Sequence, residues 1–138
     1  MLFADASALL KRYVREHHSA RVRRLVATEM IAISRWSEVE IPSALARLAR
    51  ERSLSERARA RAVAAFDQDL KAWHIVELTT EVTALARRLL GRHDLRAGDA
   101  VQLASALWLR QAIPVSRLLV FDTRLVAAAA AEGFRTST

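Results

Sequence analysis

The sequence predicts an α/β fold, a three-layer α/β/α sandwich with a central parallel sheet, and three observations lead there. Short apolar runs alternate with longer stretches of helical periodicity along the chain. Strands separated by helices pair in parallel through right-handed crossovers, which place helices on both faces of the sheet. No low-complexity linker, composition break or internal repeat interrupts residues 1–138, so a single domain is expected. That length is enough to bury roughly two thirds of the unfolded surface without staples.

The elements follow in order. Leu2-Phe3-Ala4 is the first strand, and after Asp5 a helical pattern runs to Arg15. A second helix covers Ser19 to Thr28, with Val22, Leu25 and Val26 on one face. Met30 to Ile33 is the second strand. Ser34 opens the next helix, Trp36 through Arg52, whose apolar positions include Val39, Leu45, Leu48 and Ala49; Pro42 inside it can introduce a kink. Ser53 and Glu56 have capping-box spacing, so another helix starts there and reaches Trp73. His74 to Leu78 is the third strand. Thr80 caps a helix from Glu81 to Leu90, with Gly91 as its stop. Gly98 precedes a helix from Asp99 to Gln111, and Pro114 marks the exit. Leu118 to Phe121 is the fourth strand, Asp122 caps an alanine-rich last helix, and Gly133 ends it.

Composition removes several classes of function. At 52% hydrophobic and 27% charged the chain is globular, not disordered. Cysteine is absent, which excludes disulfides, thiolate nucleophiles and cysteine-based zinc or iron–sulfur sites. Three glycines and two prolines leave little room for a glycine-rich phosphate cradle. The first residues meet Asp5 at once and lack the basic lead-in and cleavage site of a signal peptide. The longest apolar stretch, Ala100 to Leu109, carries Gln102 and Ser105 between Asp99 and Arg110, which marks a buried helix and not a membrane span. A soluble cytoplasmic protein is expected. The formal net charge is +7, and every basic side chain except Lys11 and Lys71 is arginine. Guanidinium groups suit bidentate phosphate contacts and point to a nucleic-acid partner, although a GC-rich genome also produces arginine beside abundant alanine.

In an open parallel sheet, ligands bind outside the carboxyl ends of the strands. Asp5 and Asp122 each follow a strand directly, Asp99 opens a helix, and Glu40 lies early in the helix after the second strand. Singly, each reads as an N-cap or a solvated helix residue. Gathered at one edge they repel one another and raise each other's pKa unless a divalent cation offsets the charge. Oxygen-only donors suit Mg²⁺ or Mn²⁺. Beside an arginine-rich surface, such a cluster points to phosphodiester hydrolysis.

Four segments now carry a resemblance: F-A-D-A-S-A-L-L from Phe3, S-E-V-E-I-P-S-A-L-A-R from Ser37, L-R-A-G-D-A-V-Q-L-A-S-A-L from Leu95, and V-F-D-T-R-L-V-A-A-A-A-A-E-G from Val120. In order and spacing they resemble the PIN domain, and more closely the toxin nucleases of VapBC toxin–antitoxin pairs. The resemblance covers nearly the whole chain. It implies a small α/β/α sandwich that binds Mg²⁺ or Mn²⁺ through acidic residues and cleaves RNA as an endoribonuclease. The four acids fall on Asp5, Glu40, Asp99 and Asp122, as catalytic and metal-binding residues, with Ser7 and Thr123 as hydroxyls that orient ligands or waters. Glu38 lies two residues from Glu40, about 200° around a helix, so both cannot face one pocket; the register of Ala44 and Leu45 favours Glu40. The histidine often found in the stretch occupied by Val101-Gln102 is missing, and Phe121 stands where a hydroxyl residue often precedes the last acid. The resemblance also implies a homodimer and a cognate antitoxin whose C-terminal segment lies across the acids.

A non-catalytic PIN-like module that binds RNA or protein is the competing reading, and the full set of four acids favours the nuclease. Phosphotransfer with Asp5 as nucleophile fails, because Ser7 stands where haloacid-dehalogenase chemistry wants a second aspartate and the last lysine of the chain is Lys71. His17 and His18, about 100° apart on a helix, read as solvated surface. Asp67 and Asp69 are expected in surface ion pairs with Arg57, Arg59 and Arg61. Asp94 is a weaker candidate for the acidic pocket, and Arg96 either contacts substrate phosphate or pairs with a carboxylate. Trp36, Trp73 and Trp108 read as core or interface anchors. The arginines from Arg47 to Arg61 line an RNA groove or face water.

Overall fold

The computed structural model describes residues 1–138. Its strands are β1 (Leu2–Ala4), β2 (Ile31–Ser34), β3 (His74–Val76), β4 (Arg117–Leu119) and β5 (Thr136–Ser137). All neighbours pair in parallel, in the order β3-β2-β1-β4-β5. The helices are α1 (Ala6–Leu10), α2 (Ser19–Thr28), α3 (Ser37–Arg50), α4 (Glu56–Leu70), α5 (Thr80–Arg92), α6 (Ala97–Arg110) and α7 (Thr123–Ala131). None is long and apolar enough to cross a membrane.

Strand periodicity divides the interior in two. Leu2, Ala4, Ile31, Ile33 and Leu119 turn to one face, where Leu9 of α1, Val22 of α2, Ile41 and Leu45 of α3 and Phe66 of α4 complete a core. Phe3, Ala32, Val76, Leu118 and Val120 turn to the other, against Val82 and Leu89 of α5, Leu103 of α6 and Leu125 of α7. Burial on both faces explains why the inner strands read as unbroken apolar runs. The architecture is the three-layer α/β/α sandwich that the sequence predicts.

This topology fixes where a ligand can enter. From β1 the chain winds outward through β2 to β3, then crosses back to β4 and β5 on the other side. The winding reverses between β1 and β4, and the crevice outside their carboxyl ends is the usual binding position in such sheets.

Local differences from the sequence reading have physical causes. The helix after Asp5 ends at Leu10, and the chain continues to Val14 through tighter turns, with Arg12 N–H on the Leu9 carbonyl and Tyr13 N–H on the Leu10 carbonyl. There Arg12 Nε and Tyr13 Oη are drawn to Asp69 of α4, at 2.7 and 2.6 Å, so Asp69 pairs across the fold and not with the arginines of its own helix. α4 is capped by Ser55, which accepts from Ala58 N–H, and not by Ser53. Thr79 replaces Thr80 as the cap of α5, and that helix runs through Gly91 to Arg92. Pro42 sits inside α3 without ending it. His17 and His18 lie in the turn before α2, so the helical angle expected between them does not apply; their rings lie 3.8 Å apart. β5 has no apolar run to announce it and is held by main-chain bonds, among them Leu118 N–H to the Arg135 carbonyl. Gly133, at φ +86°, ends α7 in the left-handed conformation that favours glycine.

Candidate active site

β1 delivers Asp5 to the carboxyl edge of the sheet, where its N–H bonds the Leu119 carbonyl at 3.0 Å. Asp5 occupies the N-cap position of α1, yet its side chain does not cap. Its carboxylate instead accepts from Ser7 Oγ at 2.5 Å. Burial pushes the Asp5 carboxyl up to about 6; the Ser7 bond opposes this, and the charges of Glu40 and Asp99 add to it.

Glu40 stands in the first turn of α3. Gln102 Nε2 donates to its Oε2 at 2.7 Å and to Ser37 Oγ at 3.0 Å. Burial raises the Glu40 pKa, hydrogen bonds from Gln102 and Trp36 work against the rise, and the charge of Asp99 reinforces it. Asp99 stands in the first turn of α6. Its Oδ2 is buried without a hydrogen-bond partner, and Arg96 Nε approaches only to 3.6 Å. Asp5, Glu40 and Asp99 line one cleft of about 420 Å³, with Ser7, Arg47 and Arg96 around them.

The fourth acid stands apart. Asp122 caps α7, its Oδ1 accepting from Leu125 N–H at 3.0 Å. Its Oδ2 lies 3.8 Å from Arg96 Nη2, so Arg96 spans Asp99 and Asp122 from the rim of the cleft. Glu38 points away and pairs with Arg35 at 2.8 Å, while Glu40 faces the cleft. Asp94 is largely exposed and pairs with Arg124 at 3.6 Å.

The donor set suits a hard divalent cation. Three carboxylates line the cleft with one buried oxygen unmatched, and burial, reinforced by neighbouring acids, raises the pKa of two of them. No three acidic or histidine side chains stand close enough to enclose an ion directly. Mg²⁺ keeps several waters and takes one or two carboxylates, which fits acids spread around a cleft.

Comparison with known proteins identifies the family. Residues 2–131 match the PIN domain family. Ribonuclease VapC45 of Mycobacterium tuberculosis (strain CDC 1551 / Oshkosh) is 35% identical over 138 residues, covering 99% of this chain and 94% of that one. The chain belongs to the PIN-domain family, VapC type. This PIN domain also shares its fold with Mycobacterium tuberculosis VapC20, described as a sarcin-ricin-loop-cleaving toxin, at TM-score 0.70 and 20% identity over 98% of this chain and 97% of that one. A toxin–antitoxin complex from Klebsiella pneumoniae matches at TM-score 0.69 and 16% identity, over 100% and 97% of the two chains.

Two residues of the PIN domain's cleft escape a search for acids. Gln102 is fully buried in α6. Its signal is a lone amide on an apolar helix, three residues after Asp99 and therefore on the same face. Gly98 lies in the first turn of α6, where a Cβ would stand 2.5 Å from Glu40 Oε1. A glycine is what lets the Glu40 carboxylate lie against this helix.

Proposed function

We propose that this PIN domain is a divalent-metal-dependent endoribonuclease, the toxin of a toxin–antitoxin pair. The observation that carries the reading is the convergence of Asp5, Glu40 and Asp99 on one cleft, with an Asp99 oxygen buried and unpaired. Asp5, Glu40 and Asp99 would hold Mg²⁺ or Mn²⁺, in part through waters, with Asp122 contributing from the rim. The bound metal supplies a water of lowered pKa and neutralises charge on the scissile phosphate.

The remaining side chains position and balance this set. Ser7 fixes the Asp5 carboxylate, and Gln102 with Ser37 fixes that of Glu40. Arg96 reaches Asp99 and Asp122 and pairs only loosely with either, so its guanidinium is available to a substrate phosphate, and Arg47 stands across the cleft for the same purpose. A cationic side chain of the antitoxin placed among these acids would exclude the metal by charge competition. Exposed Trp36, Val39 and Trp108 give apolar surface to the antitoxin or to a second copy in a homodimer. This reading implies a cytoplasmic protein, and no helix is long and apolar enough to cross a membrane.

The test is cleavage of total cellular RNA by purified, antitoxin-free protein in Mg²⁺ or Mn²⁺, beside Asp5→Ala and an EDTA control. Discrete fragments that vanish in both controls are expected. No cleavage by the wild type would leave a binding module as the better reading, and cleavage surviving Asp5→Ala would mean that the site is elsewhere.

A further inference from the structure

Outside the cleft, the most unusual surface feature is a series of three rings. His18 stacks on Phe121 with centroids 4.7 Å apart and planes at 11°, and His17 covers His18 at 3.8 Å and 48°. Both histidines are exposed, while Phe121 is partly buried against the core below. His18 holds this position at φ +69°, a left-handed conformation that is costly for a side-chain-bearing residue. The stack therefore rests on a Phe121 floor, has a strained backbone beneath it, and ends in His17.

Its placement is close to the acids on two sides. Phe121 directly precedes Asp122, which reaches Arg96 at the cleft rim. Leu10 lines the cleft, and the next residue, Lys11, sets its Nζ 5.3 Å from the Phe121 centroid. Lys11 has only a distant partner in Glu16, at 3.9 Å. Partial desolvation, then the charges of His17, Lys11 and Arg21, lower the His18 pKa.

We infer that the His17–His18–Phe121 stack is a seat for an unpaired RNA base beside the cleft, with Lys11 and Arg21 taking the flanking phosphates. This rests on the nuclease reading above. The chemistry is that of single-strand recognition: bases stack on exposed rings, including histidine, while cations track the backbone. Cations at the edge of the rings suit a polyanion better than an apolar protein face. Stacked bases contribute enough that truncating one ring weakens binding by about fivefold or more.

The test is fluorescence anisotropy with a short labelled single-stranded RNA of mixed sequence, using the non-cleaving Asp99→Asn protein in Mg²⁺. Adding His17→Ala is expected to raise Kd about fivefold or more, with an unchanged melting temperature because His17 is exposed. His17→Phe should keep the affinity, and RNA of the same length lacking its bases should not distinguish His17 from alanine. Equal affinity of His17→Ala for normal RNA would overturn the seat, as would an equal loss with base-free RNA or no rescue by phenylalanine. If wild-type protein cleaves RNA while His17→Ala binds it normally, the seat fails and the nuclease stands. If the wild type neither cleaves nor binds RNA, both fail.

Discussion

Gly98→Ala tests the geometry of the cleft most sharply, because stability and activity should part company. The added Cβ would lie 2.5 Å from Glu40 Oε1, where ordinary contact begins at 3.4 Å, so the carboxylate must retreat by roughly 1 Å. Trp36 Nε1, 3.6 Å from the same point, closes one way out. Gly98 does not use the left-handed conformation, so alanine fits its backbone and gains about 0.5–1 kcal/mol of helix propensity. Weakening the Gln102–Glu40 bond costs about 1 kcal/mol. The two nearly cancel, and the melting temperature should stay within about 5 °C of wild type. Catalysis has no such compensation, since a displacement of this size in a positioned group costs up to about 100-fold. The assay pairs thermal melts with single-turnover cleavage of whichever RNA the total-RNA experiment shows to be cut, and a drop of about 10- to 100-fold is expected. A rate within about threefold of wild type would refute the claim that Glu40 must lie against Gly98 to work.

Other perturbations have equally definite outcomes. Gln102→Leu removes the donor to Glu40 and Ser37; it should leave the chain folded but weaken Mn²⁺-dependent thermal stabilisation, by about 10-fold or more in apparent metal affinity. In EDTA, the protein should lose stability as pH rises through about 6, because the Asp5 carboxyl titrates there when folded and near 3.8 when unfolded. The contribution is fully present below the unfolded value and its loss by pH 8 is on the order of 3 kcal/mol. Asp5→Asn should flatten that dependence in urea melts at about pH 4 and pH 8, which span most of the window; an unchanged slope would show that Asp5 is not the group responsible. Phe66→Ala, in the core between α1 and α4, should cost about 3–5 kcal/mol by denaturant unfolding. Ser55→Ala should cost about 1 kcal/mol through its lost cap.

Much of the layer order was readable because fully buried strands leave continuous apolar runs. Leu2-Phe3-Ala4 and the run ending at Ile33 sit within a residue of β1 and β2. β5 was not readable, since Thr136 and Ser137 pair through the main chain alone. Helix ends shifted where two residues competed for one role: Ser53 has a glutamate at capping-box spacing, yet Ser55 makes the bond. The same limit applies at the site. Aspartate after a strand identifies a position at the sheet edge, and α3 periodicity separates Glu38 from Glu40. Gln102 and Gly98 are set by contacts between α6 and α3, which are long-range, and only the lone amide of Gln102 on an apolar helix hints at them locally. Arg96 was open between phosphate and carboxylate: its contact with Asp99 is local, three residues on, while that with Asp122 depends on where α7 begins.

Asp5 and Asp122 show why such positions need the structure. Each follows a strand, precedes a helix and occupies an N-cap with extended backbone. Asp122 spends Oδ1 on the Leu125 N–H, the usual stabilising use of an aspartate there. The Asp5 carboxylate makes no full cap bond, its approach to the Ala8 N–H being weaker than the bond it accepts from Ser7; it turns into the cleft, where burial and then two neighbouring acids raise its pKa. For stability alone that choice is poor: it forgoes a cap on a five-residue helix and buries a carboxylate beside like charges. An asparagine would remove the repulsion and an ordinary cap would strengthen α1. What Asp5 retains is negative charge facing Glu40 and Asp99, and that charge becomes favourable only when a cation arrives. The uncompensated burial of Asp5, absent at Asp122, is therefore the physical argument that supports the proposed cation in the cleft.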